Sequence, residues 1–217
     1  MIERTRLAQT IIDACLRMNA ENLNQGTSGN ISARFESGFL ITPSGTAYER
    51  LKPESIVFMT LNGEAEEGLK PSSEWRMHRD IYAARPDAGA VVHAHPPYAT
   101  ALSSLRLPIP AFHYMVAIAG GDDIRCADYA TFGTPELSSA MLAALSGRTA
   151  CLLANHGLIC FDANVDKALA LAVEVEALSH QYTVARRIGT PTLLTDAEMA
   201  EAIAKFRDYK NPQEPAA

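Results

Sequence analysis

The run Ala88-Gly89-Ala90-Val91-Val92-His93-Ala94-His95, closed at once by Pro96-Pro97, constrains the fold more than any other stretch of the chain. Its apolar residues predict a strand buried on at least one face. Two prolines end such a strand, because neither can donate to a ladder. Side chains alternate along a strand, so His93 and His95 project to the same side. Both rings then sit at its C-terminal edge, where ligand sites gather in layered α/β proteins. Two imidazoles one residue apart can close on one metal ion, and neutral imidazole suits zinc. Two strand-end histidines bonded to backbone or water would read the same way.

The elements around this strand follow from periodicity and turn signals. Leu7, Ile11, Ile12, Cys15, Leu16 and Met18 form the apolar stripe of a helix from Ile2 to about Glu21. Ile31 to Phe35 and Phe39 to Thr42, joined by a Ser-Gly turn, predict a hairpin. Ile56 to Met59 reads as a strand, and a helix begins near Ser73-Glu74, with Ser72 or Ser73 as its cap. Further on come a helix over Pro135–Leu145, a strand over Thr149–Ala154, a tight Asn155-His156-Gly157 turn and a second strand after it. Val165–Arg187 and Asp196–Tyr209 read as helices, the latter opened by a Thr195/Glu198 capping box. Hairpins alternate with helix-separated strands, so the expected fold is α/β: a mixed, mostly antiparallel sheet covered on both faces. The 217 residues suffice for one core, expected over 1–210, with 211–217 as a polar, frayed tail.

A formal net charge of −6 gives no reason to expect nucleic acid or an anionic membrane as partner. No apolar run approaches the roughly 20 residues needed to span a bilayer, and the N-terminal segment reads as an amphipathic helix rather than a signal peptide. Cys15, Cys126, Cys151 and Cys160 are scattered, with no C-x-x-C pair, as expected of free thiols in a reducing cytoplasm.

A catalytic zinc site needs three protein ligands and an open position. Of the remaining histidines, His156 is the best third ligand, since it too follows an apolar strand; nothing in the periodicity places it beside His93 in space. His78 and His180 fall on predicted helices and His113 in a loop, where surface or supporting roles are expected. Glu74 is the leading carboxylate, at a helix start where negative charge is favoured. Near a metal it could serve as fourth ligand, general base, or each in turn; a helix-start glutamate without chemistry is equally compatible with the pattern. Three small-residue loops, Gly26-Thr27-Ser28-Gly29-Asn30, Thr42-Pro43-Ser44-Gly45-Thr46 and Pro71-Ser72-Ser73, offer backbone and hydroxyl donors of the kind an anion nest requires. None matches a P-loop or a dinucleotide fingerprint. Beside a metal site they suggest a small phosphorylated substrate.

Taken in order, Gly-Thr-Ser-Gly-Asn-Ile-Ser, Ile-Thr-Pro-Ser-Gly, Lys-Pro-Ser-Ser-Glu, Val-His-Ala-His and Asn-His-Gly-Leu resemble the class II aldolase/adducin family. The likeness covers nearly the whole chain and extends to Phe112-His113-Tyr114-Met115 and Ala130-Thr131-Phe132-Gly133-Thr134. The resemblance implies a three-layer α/β/α sandwich and one zinc ion per subunit on His93, His95 and His156, with Glu74 as fourth ligand when substrate is absent. It implies a substrate phosphate held by Thr27, Asn30, Ser44, Gly45, Ser72 and Ser73, and a pocket lined in part by Phe132. It further implies a homotetramer with sites between subunits, in which Tyr114 and Tyr209 reach the neighbour's site. The implied reaction is reversible cleavage of a ketose 1-phosphate, a 5-deoxy or methylthio sugar phosphate among them, into dihydroxyacetone phosphate and an aldehyde. A 4-epimerase, a methylthioribulose-phosphate dehydratase and a non-enzymatic adducin-like module are the alternatives on the same scaffold. Epimerase members carry aspartate where this chain has Glu74, which favours aldol chemistry. Ala94 and Asn155 stand where one member carries larger polar residues.

Overall fold

The computed structural model describes residues 2–210, with side chains through residue 206. The expected tail over 211–217 lies outside the described residues, as does the side chain of Tyr209. Among the described residues, seven strands form one sheet: β1 (Asn30–Phe35), β2 (Gly38–Ile41), β3 (Val57–Thr60), β4 (Ala90–Ala94), β5 (Cys126–Ala127), β6 (Ala150–Leu153) and β7 (Gly157–Asp162), in the order β3-β2-β1-β4-β7-β6-β5. Every pairing is antiparallel except that of β5 with β6. Those two strands are joined through a helix, and such a crossover returns the chain in the same direction.

The predicted strand with the paired histidines is the central one. β4 is buried along its whole length, and its two faces enter different cores. Val92 and Ala94 pack with helices α1 (Ile2–Ala20), α3 (Pro97–Ser104) and α5 (Val165–Ile188). Val91 packs on the opposite side with α2 (Trp75–Ala84) and α4 (Pro135–Ala144). Period-2 alternation thus sorts neighbouring valines into the two layers of an α/β/α sandwich. α6 (Asp196–Lys210) packs on the 3-10 segment Tyr114–Ala119. Its capping box forms as expected: Thr195 N donates to Glu198 Oε2 at 2.8 Å and Glu198 N to Thr195 Oγ1 at 3.3 Å. Among the described residues, no helix is long and apolar enough to cross a membrane.

Two elements differ from the sequence expectation. Pro96-Pro97 ends the strand but also opens α3, with Pro97 at the first helical position, where its missing N–H costs nothing. The cap comes from α5: the Glu176 carboxylate accepts from Tyr98 N and Ala99 N, each at 2.8 Å. A partner 77 or 78 residues away leaves no local signal. At α2, Ser72 and Ser73 do not cap the helix. Glu74 occupies the N-cap position, with φ −102° and ψ 12° and no side-chain cap bond, so its carboxylate is free to turn inward.

Candidate metal centre

Strand register assembles the centre. Across the sheet, Asn30 pairs with His93 on one side, and His93 pairs with Ile159 on the other. His95 lies one residue past the end of β4, and the β6–β7 turn carries Asn155 and His156 over the same edge. That turn is tight, with Asn155 left-handed at φ +54°. Gly157 is needed there, because a Cβ would stand 2.4 Å from the Ala94 carbonyl oxygen and 2.9 Å from the His95 ring. The sharp turn and the close approach bring His156 back onto the paired histidines. Ring centroids lie 4.6 Å apart for His93 and His95, 4.8 Å for His93 and His156, and 5.1 Å for His95 and His156.

Glu74 meets this cluster from α2. Its Oε2 lies 3.1 Å from His93 Nε2 and its Oε1 lies 3.1 Å from His156 Nε2. One ligand atom from each of Glu74, His93, His95 and His156 lies within 4.8 Å of every other. The proton positions show what such a cluster lacks. His93 Nδ1 donates to the Leu158 carbonyl at 2.7 Å, so the neutral ring presents a lone pair at Nε2. That lone pair faces a carboxylate oxygen, and both His93 Nε2 and Glu74 Oε1 are buried with no hydrogen-bond partner. Two acceptors held in contact away from water need a positive charge between them, either a proton or a metal ion. Burial alone would raise the Glu74 carboxyl, but the positive charge of His93 and His156 holds it well below the usual carboxylate range. Burial acts against a charge on His93, yet Glu74 outweighs it and raises the ring above its ordinary value. Burial, with the positive charge of His93 and His156, pushes His95 down to about 3. A donor set of three imidazoles and one carboxylate fits a divalent ion of the zinc type.

Supporting bonds orient these groups. His95 Nδ1 donates to Asn24 Oδ1 at 3.4 Å, and Asn30 Nδ2 donates to Glu74 Oε2 at 2.9 Å. Metal-binding rings and carboxylates are commonly fixed in this way. The sequence reading missed Asn24, which carries no motif signal. It also placed His78 in a surface or supporting role. The ring is completely buried, bonded to Asn30 and Ser32, and burial together with the charge on His93 pushes it down to about 3. Its one signal was its position one helical turn after Glu74. His113 caps the 3-10 segment, with Nδ1 accepting from Met115 N, and His180 stacks on Tyr98.

The three small-residue loops meet at this edge. Thr42 N donates to the Ile31 carbonyl, Ser44 N to the Lys70 carbonyl and Ser72 N to the Thr42 carbonyl, at 3.0 to 3.1 Å. Ser72 Oγ accepts from Glu74 N at 3.3 Å. Thr27, Gly45 and Ser73 are exposed, Ser44 is half-buried, and Asn30 and Ser72 are buried. A cleft of about 270 Å³ opens onto the centre, lined by Ser73, Glu74, His95, Tyr129, Ala130, Phe132, Asn155 and His156. Phe132 and Tyr129 are largely exposed at this cleft. Tyr114 is also exposed, but it stacks on His113, 6.4 Å from the Phe206 ring, and is not part of the cleft wall.

Comparison with known proteins agrees with this geometry. The sequence profile described as Class II Aldolase and Adducin N-terminal domain matches residues 9–183. The L-fuculose phosphate aldolase of Escherichia coli O6:H1 (strain CFT073) is 53% identical over 209 residues, covering 96% of this chain and 97% of its own. A 5-methylthioribulose-1-phosphate/5-deoxyribulose-1-phosphate aldolase of Rhodospirillum rubrum is 52% identical over 206 residues, covering 95% and 93%. Among solved structures, an L-fuculose 1-phosphate aldolase superposes with a TM-score of 0.90 at 41% identity, over 94% of this chain and 97% of that one. A profile match across most of the chain, and about half of all residues shared with full-length aldolases, establish that it belongs to the class II aldolase and adducin family.

Proposed function

We propose that this chain is a zinc-dependent aldolase that reversibly cleaves a ketose 1-phosphate into dihydroxyacetone phosphate and an aldehyde. The observation that carries this reading is the cluster of buried Glu74 and His93 with half-buried His95 and His156, in which His93 Nε2 faces the Glu74 carboxylate beside an open cleft. Those four side chains would hold the ion, and when bound it supplies electrostatic stabilisation of the negative charge that builds on substrate oxygens as the carbon–carbon bond breaks. Glu74 moves the proton of the nucleophilic carbon, since it is the carboxylate in the cleft and is held ionised by its neighbours. Thr27, Asn30, Ser44, Gly45, Ser72 and Ser73 bind the phosphate through hydroxyl, amide and backbone donors, a neutral cradle in keeping with the acidic chain. Binding at that end orients the reacting carbons and excludes unproductive poses.

Phe132 and Tyr129 present an apolar rim to the part of the substrate that becomes the aldehyde. Such a rim suits a deoxy or methylthio tail, as in the substrates for which the Rhodospirillum rubrum relative is named. We assign Tyr114 the role of proton donor to the aldehyde oxygen; it lies outside the cleft of its own chain, so that role requires a neighbouring copy. We infer a homotetramer with sites between subunits, and place Tyr209 at the same junction. Free thiols, three of them buried, suit the reducing cytoplasm.

The test is to incubate the zinc-loaded protein with L-fuculose 1-phosphate, 5-methylthioribulose 1-phosphate and 5-deoxyribulose 1-phosphate and to assay release of dihydroxyacetone phosphate. Release from at least one is expected. An epimerised or dehydrated phosphate with no triose phosphate, or turnover unchanged in a metal-free preparation, would overturn the reading.

A further inference from the structure

Behind Glu74 runs a line of polar side chains of which the aldol reading uses only Asn30. Tyr82 Oη lies 2.8 Å from Ser32 Oγ, Ser32 Oγ lies 2.6 Å from His78 Nδ1, His78 Nε2 lies 2.5 Å from Asn30 Oδ1, and Asn30 Nδ2 lies 2.9 Å from Glu74 Oε2. Tyr82, Ser32 and Asn30 are at most 3% exposed and His78 is fully buried, so these bonds lie away from bulk solvent.

The direction of each bond is determined by chemistry. Asn30 Nδ2 donates to Glu74 Oε2, so the amide turns its NH2 toward the carboxylate and its carbonyl toward His78. That carbonyl only accepts in turn, so His78 Nε2 carries a proton. A neutral ring protonated on Nε2 accepts at Nδ1, which makes Ser32 the donor there and Tyr82 the donor to Ser32. Four donors therefore point one way, toward the carboxylate, and bonds aligned in this sense polarise one another.

We propose that His78 is a positioning residue: its Nε2–H locks the Asn30 amide with NH2 toward Glu74, fixing the carboxylate by Oε2 and leaving Oε1 without a donor. Without that N–H, the Asn30 carbonyl is a buried acceptor with no partner, and the amide can turn over to set its oxygen against the carboxylate. Glu74 would then lose both its hydrogen bond and its orientation. This inference rests on the reading of Glu74 as the group that moves the carbon-bound proton.

Two amides of similar chemistry separate positioning from mere filling of space. His78→Gln can place a side-chain nitrogen where Nε2 stands, and His78→Asn reaches only the position of Nδ1. The readout is solvent-deuterium incorporation into dihydroxyacetone phosphate by the zinc-loaded protein, which needs no aldehyde. His78→Asn should slow the maximal exchange rate by about 10- to 100-fold, the usual effect of losing such a supporting partner, and His78→Gln should restore most of it. In the wild-type protein, the 15N spectrum of labelled histidine should report His78 as a neutral ring protonated on Nε2. Equal losses in the two variants, or a proton on Nδ1, or a charged ring, would overturn the proposal while leaving the aldolase reading in place. If neither variant folds, the labelled spectrum decides alone. A wild-type protein that neither exchanges deuterium nor releases triose phosphate would overturn the functional reading and this inference with it.

Discussion

Each of three groups in the centre is held by a bond to a residue outside the cluster: His93 by the Leu158 carbonyl, His95 by Asn24 and Glu74 by Asn30. These bonds fix which atom of each group faces inward, and so separate holding a metal from moving a proton. His93→Ala should remove bound metal and activity together, because it deletes a buried ligand that no neighbour can replace. Glu74→Gln leaves three imidazoles and should keep the metal, but should slow carbon–proton exchange by about 10²- to 10⁴-fold, the usual contribution of a general base. Elemental analysis of the purified variants and deuterium incorporation into dihydroxyacetone phosphate check the pair. Metal loss from Glu74→Gln equal to that from His93→Ala would contradict the division of roles.

At the scale of elements, the centre depends on two chain reversals. The β6–β7 turn aims His156, and its tolerance is set by Gly157 against the Ala94 carbonyl and the His95 ring. A backbone oxygen cannot step aside as a flexible side-chain tip can. Gly157→Ala should therefore part β4 from β7, costing about 1–3 kcal/mol as overpacked sites do, and should weaken metal binding through His95. Urea denaturation and a zinc titration test this; an unchanged midpoint with unchanged affinity would show that the turn adapts. The start of α2 is the second reversal. Because Glu74 stands at the N-cap position and does not cap the helix, the carboxylate turns toward the sheet edge.

For the whole molecule, sheet order decides which residues meet. Placing β4 between β1 and β7 gathers Asn30, His93 and the β6–β7 turn, and α2 brings Glu74 over them. The same architecture leaves Tyr114 exposed and outside the cleft. If Tyr114 acts on a neighbour's substrate, mixed oligomers of Glu74→Gln and Tyr114→Phe chains should regain activity that neither variant has alone, because some sites then combine an intact Glu74 with an intact Tyr114. Recovery of none on mixing and refolding would show that the tyrosine does not act across subunits. Sequence periodicity anticipated most of this framework: the β1–β2 hairpin, the buried strand at β4, the long α5 and the capped α6. It did not anticipate α3, whose cap lies on α5, nor that His78 is buried, since an imidazole one turn along a helix looks the same in sequence whether it faces water or a core.

What the chain alone determined was alternation, turn chemistry and the order of its motifs. Those are local properties, and they sufficed to put His93 and His95 on one side of a strand and His156 in a turn. Only the tertiary structure decided that these rings gather around Glu74, with the His93 lone pair facing its carboxylate, and that Asn30 and His78 stand behind it. Contacts between residues 44 to 82 positions apart are settled by strand order and packing, and neither leaves a period in the sequence.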